Sequence, residues 1–194
     1  MFDELSSELG KILMQLSHLE DQRPEEVPPV HEVLRIGLVI LDAETQFMIG
    51  HGSEALGKLL VLQLNMSTDK RLETTKDLGR NDYFTCYQKV RLSIVNMHIR
   101  QHQWTNAVAE LKKILQDVSN MKETMETTTI QFQVLLLCKM ARLFVHTGDI
   151  PAGEKYFEFA KNILRNNGET GQVFCCVEAV LERLYFADIS TILI

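Results

Sequence analysis

The sequence is poor in the residues that break helices. It holds four prolines and ten glycines among 194 residues. Three of the prolines fall together at Pro24, Pro28 and Pro29, and beyond them only Pro151 remains. With so few breakers, an all-α chain is expected. It also lacks any uninterrupted apolar run on the order of 18 residues, so no membrane-spanning helix is expected. The N-terminus opens on Asp3 and Glu4, without the basic lead and apolar block of a secretory signal. The four cysteines, Cys86, Cys138, Cys175 and Cys176, show no CxxC spacing. Cys175 and Cys176 are neighbours and would diverge by about 100° on a helix. Free thiols in a reducing compartment are the expected state, and the Asn65-Met66-Ser67 sequon then has no role. Basic excess is missing too. The net charge is −6, and residues 1–30 carry seven acids and two bases. The remainder is nearly neutral, with no basic face for nucleic acid or anionic lipid.

The motifs of common enzymes are absent. There is no GxxxxGK[ST], GxGxxG or GxSxG. His98 and His102 are four apart and could chelate a metal from one helix face, but no third ligand accompanies them. No base is paired to a cysteine at sequence level, and Glu25-Glu26 lies in the proline-rich stretch. The expectation is a protein without catalysis, cofactor, metal or small-molecule substrate.

What is present is amphipathic periodicity. Apolar residues make up 45% of the chain, enough for a packed core. Residues 1–22 form an amphipathic helix, with Leu5, Leu9, Ile12, Leu13, Leu16 and Leu19 on one face. Residues 23–30 form a Pro-rich linker. Residues 31–168 divide into three helical hairpins, at 31–64, 83–117 and 134–164, with polar insertions at 65–82 and 118–130. In the last hairpin Leu137, Met140, Ala141 and Phe144 share one face, Gly148-Asp149 stops the helix, Asp149 caps the next, and Gly153, Tyr156, Phe157 and Ala160 form its stripe. Ala141 and Gly153 are placed where the helices cross, and Phe144, Phe157 and Leu111 are expected in the core. Ungapped superposition matches Gly50 with Gly148, Ala43 and Val95 with Ala141, and Ala55 and Ala107 with Gly153. It also sets Asp42 where Met140 sits, and Gln46 and His98 where Phe144 sits. Residues 169–194 are expected to hold an unpaired helix, 171–188, of an incomplete repeat. Its missing partner suggests a short form, or an edge that packs on another subunit through Val177, Leu184 and Tyr185.

The order small, aromatic, Gly-Asp, small, aromatic, Ala resembles the tetratricopeptide-repeat family. It departs from that family's pattern in Gly153 for the usual Ala, in Leu137 for the usual Trp, and in having no proline after the second helix. The resemblance implies a solenoid of antiparallel helix hairpins that acts through protein partners. Some members clamp a peptide carboxylate with Lys, Asn and Arg. Asn96 matches that pattern, Lys139 is chemically close to it and Arg142 faces the same way, whereas Leu92, Ser93 and Cys138 do not match.

The segments RLFVHTGDIPAGEKYF (Arg142 to Phe157) and LRIGLVILDAETQFMIGHGSEALGKL (Leu34 to Leu59), with the polar stretch between hairpins, resemble the subunit-12 family of the trafficking protein particle (TRAPP) complex. That resemblance implies a non-catalytic scaffold in a TRAPP III-type vesicle-tethering complex of endoplasmic-reticulum-to-Golgi transport and autophagy. It implies the large peripheral TRAPP subunits as partners. It also implies a cytoplasmic location, peripheral to the intermediate compartment and Golgi, with membrane contact only through the complex. The alternative is a stand-alone tetratricopeptide adaptor that binds peptides.

Overall fold

Three short turns set the architecture. In the computed structural model, which describes residues 2–22, 29–68, 78–120 and 127–166, each of these turns contains one left-handed residue: Gly50 at φ 98°, His102 at φ 58° and Gly148 at φ 84°. The N–H of that residue donates to the carbonyl three back, and the next N–H to the carbonyl five before it. The bonds are Gly50 to Phe47 and His51 to Gln46, His102 to Ile99 and Gln103 to His98, and Gly148 to Val145 and Asp149 to Phe144. This pair of bonds is the Schellman motif, which satisfies the last carbonyls of a helix and ends it.

The described chain is all-α, with seven helices and no strand among the described residues. They are α1 (Phe2–Gln22), α2 (Pro29–Met48), α3 (Gly52–Ser67), α4 (Leu78–Arg100), α5 (Trp104–Asn120), α6 (Thr127–His146) and α7 (Ile150–Asn166). They fall into two compact units, residues 1–103 and residues 104–194.

In the first unit α1 packs on α2, and α2, α3 and α4 pack on one another. Ile36 and Ala43 of α2, Ala55, Leu59, Leu62 and Met66 of α3, and Cys86, Val90, Ile94 and Met97 of α4 form one apolar cluster. Leu9 of α1 is buried, while Leu5 and Ile12 are each 42% exposed, so α1 is covered less completely than its sequence stripe suggested. α2 begins at Pro29, two residues earlier than the expected hairpin. A first-position proline gives up an N–H that no helical carbonyl would have received.

In the second unit α6 packs against both α5 and α7. Val134 and Leu137 meet Ala160 and Leu164, with Leu115, Cys138, Tyr156 and Ile163 half-buried around them. Asp149 caps α7, its Oδ1 accepting from the Ala152 N–H at 3.1 Å, and Pro151 lies in the first turn as expected. The close approach expected at Gly153 is present: a Cβ there would stand 2.7 Å from Val145 Cγ2 and 3.0 Å from the Ala141 carbonyl oxygen.

The helix after each turn buries the same positions. Counted from the left-handed residue, they are the fifth, ninth, twelfth and sixteenth: Ala55, Leu59, Leu62 and Met66; Ala107, Leu111, Ile114 and Val118; Gly153, Phe157, Ala160 and Leu164. The ungapped superposition made on sequence places Ala55, Ala107 and Gly153 at the same one of these buried positions. The helices of the expected third hairpin, α4 and α5, belong to different units.

Two expectations change. Phe144 is half-buried and stacks on Tyr156, so it edges the core instead of filling it. The polar insertions are also shorter than read, because α3 runs on to Ser67, α4 starts at Leu78, α5 reaches Asn120 and α6 starts at Thr127. Polar composition does not distinguish a loop from a solvated helix end.

Candidate protein-interaction surface

α6 buries Val134, Leu136, Leu137, Met140, Ala141, Leu143 and Val145. Leu135, Arg142 and His146 are exposed and Cys138 and Lys139 half-buried, spaced as one helical strip. Burial lowers the pKa of Lys139 from its ordinary 10.5, and the positive charge of Arg142 one turn on lowers it further. Lys139 is half-buried and Arg142 exposed, so the two cations neighbour one another at the edge of the α6 surface. Burial pushes the neighbouring Cys138 thiol up to about 12, which removes it as a nucleophile.

Of the residues singled out in the sequence, Lys139 and Arg142 are brought together on α6, whereas Asn96 is half-buried on α4 in the first unit. Ser93 of α4 is buried and donates to Glu44 Oε1 at 3.1 Å. Val177, Leu184 and Tyr185, like the whole expected helix 171–188, lie outside the described residues. The residue 65–82 and 118–130 insertions are described only at their helical ends.

The two histidines do not share a helix face. α4 ends at Arg100, and His102 is the left-handed turn residue. His98 Nδ1 instead lies 2.7 Å from Gln103 Oε1. Among the described residues no group of three His, Cys, Asp or Glu is placed to hold a metal ion. No described helix is long and apolar enough to cross a membrane.

A surface that the sequence reading passed over lies at the α6–α7 edge. Phe144 and Tyr156 stack with centroids 5.3 Å apart at 4°, and Phe159 meets Tyr156 edge-on at 6.3 Å. Phe159 is 45% exposed. Lys112 Nζ sits 6.0 Å from the Phe144 ring centre, and Lys155 Nζ 5.8 Å from that of Phe159. Trp104, at the start of α5, stacks on His146 of α6 at 5.6 Å. The available signal was Phe159, an aromatic off the buried stripe of α7. On the first unit, α3 exposes Leu60, Val61 and Leu64 on the side away from its core residues.

These features define an all-α chain that presents apolar and basic side chains at its surface. Comparison with protein-family models, with curated proteins and with solved structures finds no match to this chain.

Proposed function

We propose that the chain is a non-catalytic scaffold subunit of a TRAPP III-type vesicle-tethering complex, related to subunit 12 of that complex. In this reading it acts in endoplasmic-reticulum-to-Golgi transport and autophagy. The units are degenerate tetratricopeptide hairpins, and the large peripheral subunits are the partners. The observation that carries the reading is the threefold recurrence of one turn geometry, with the same four buried positions after each turn. A repeated hairpin is the unit from which stiff, extended binding surfaces are built. Such a surface loses little conformational entropy on binding, so a few buried apolar anchors suffice for affinity.

One observation favours a second reading, a stand-alone peptide-binding adaptor. Lys139, half-buried, and Arg142, exposed, set two cations one turn apart on α6, which a peptide carboxylate could meet together.

Reconstitution separates the two. The purified chain should co-elute with the large peripheral TRAPP subunits on size exclusion. Asp at Val177 and Leu184 should abolish that co-elution if the apolar C-terminal segment is the contact. A chain that stays monomeric beside those subunits, yet binds short carboxylate-ended peptides in a Lys139- and Arg142-dependent way, is the adaptor.

A further inference from the structure

We infer that the outer face of α3, built from Gly57, Leu60, Val61 and Leu64, is where two copies of this chain pair about a two-fold axis. The inference goes beyond the proposed scaffold role and concerns the first unit alone.

The face is apolar where the fold does not ask for it. α3 buries Ala55, Leu59, Leu62 and Met66, and Gly57, Leu60, Val61 and Leu64 lie about half a turn round from them. Leu60, Val61 and Leu64 are 44%, 60% and 63% exposed. The helices that follow the other two left-handed turns supply an internal comparison. The tenth, eleventh and fourteenth residues after the turn residue are Leu60, Val61 and Leu64 in α3. They are Lys112, Lys113 and Gln116 in α5, and Glu158, Phe159 and Asn162 in α7, all of them exposed. In α5 and α7 only Phe159 among these is apolar, as expected of a solvated helix face. Of the three helices α3 alone is apolar on both sides, the pattern of a helix that is covered on both.

Gly57 puts a hollow in this face. Glycine inside a helix weakens it, so its presence calls for a neighbour that comes close. At Gly153 that neighbour is α6, but a Cβ at Gly57 would meet nothing within 4 Å. The space is open to a side chain from outside.

Symmetry selects the occupant. The hollow at Gly57 and the protruding Leu64 are seven residues apart, about two turns, and share one face. Leu60 and Val61 lie midway between them. A two-fold axis through that midpoint runs two α3 helices antiparallel. It sets Leu64 of each copy on Gly57 of the other and packs Leu60 against Val61. Charge agrees with this pairing. The charged residues of α3 are Glu54 and Lys58, and the same axis puts Glu54 opposite Ser67 and Lys58 opposite Gln63. No like charges meet. Lys58 is held 2.8 Å from Asp42, so α3 offers no spare cation to an anionic membrane. Three apolar side chains a copy are far fewer than the about 20–30 residues a side of a standard interface, so the pair is weak, on the order of tens of micromolar.

The test is sedimentation velocity of the full chain from about 3 to about 300 µM, a range that brackets such an affinity. The proposal expects a monomer–dimer equilibrium that Gly57→Glu and Leu64→Lys each weaken by about tenfold or more. Neither residue is buried, so circular dichroism should show both variants folded. Mixing the two variants should recover association. In the mixed pair one contact joins the introduced glutamate to the introduced lysine, and the other is unaltered. A chain that is monomeric throughout overturns the proposal and leaves the face to a different protein. Self-association that both substitutions leave unchanged overturns it by placing the contact elsewhere. Failure of the mixture to recover association overturns the two-fold pairing of Gly57 with Leu64.

Discussion

Gly148 and Gly153 are five residues apart and are glycine for different reasons. Gly148 has open space where a Cβ would go, but its φ is +84°. Gly148→Ala should therefore destabilise by about 1 kcal/mol through the backbone alone. Gly153 has an ordinary helical backbone, but a Cβ would collide with Val145 and the Ala141 carbonyl. Gly153→Ala should cost about 1–3 kcal/mol by overpacking, and urea melts of the two variants would separate the causes. Gln88 is 2% exposed, and neither its Nε2 nor its Oε1 finds a partner among the described residues. Gln88→Met should raise the urea midpoint, by about 1 kcal/mol of stability, because an unpaired buried amide costs more than it returns. Lys139 adds a pH dependence. Its folded pKa is below the ordinary 10.5, so between the two values the unfolded chain holds the extra proton. Its contribution to stability thus rises with pH through that window, up to about 10.5. Lys139→Met should remove that slope, which comparison of melts of the two proteins across alkaline pH would reveal. If the slope persists, the burial of Lys139 is not what causes it.

At the scale of the element, the α6–α7 hairpin was legible because its signals agree. Gly-Asp marks the turn, Asp149 caps α7, and Ala141 and Gly153 mark the crossing. The other copies were harder to read. His102 takes the left-handed conformation with a side chain that gives little warning of it, because only the pair of turn bonds that ends α4 demands it there. Asp42 occupies a core position and is 4% exposed. It is tolerated because Lys58 Nζ lies 2.8 Å from its carboxylate and Gln46 lies close by. An alternation of apolar residues cannot announce such a pair, since Asp42 and Lys58 are sixteen residues apart on different helices. Lys58→Ala should cost about 1–3 kcal/mol by leaving that carboxylate unpaired, measured by thermal unfolding. The aromatic row escaped notice for a similar reason. It joins a residue before the turn to two after it, and only the folded hairpin sets their rings side by side. Phe157→Ala removes a ring that is 8% exposed and should cost about 3–5 kcal/mol, as much as a small array of hairpins has to lose. Unchanged unfolding of that variant would contradict the packing of α7.

For the whole molecule, the proposed scaffold role rests on repetition. Turns at residues 50, 102 and 148 share one geometry and one burial pattern in the helix that follows. The α2–α3 and α6–α7 hairpins each hold surface residues at fixed positions within their own unit, which suits a protein that works by contact. Cys138 fits that role as packing and not chemistry, since its thiol is pushed up to about 12 by burial. The most direct test is affinity purification of the tagged full chain from cell lysate, read by mass spectrometry. Recovery of the large peripheral TRAPP subunits, in amounts comparable to the bait, is the predicted result. Recovery of none of them, from bait that is folded by circular dichroism, would contradict the scaffold account.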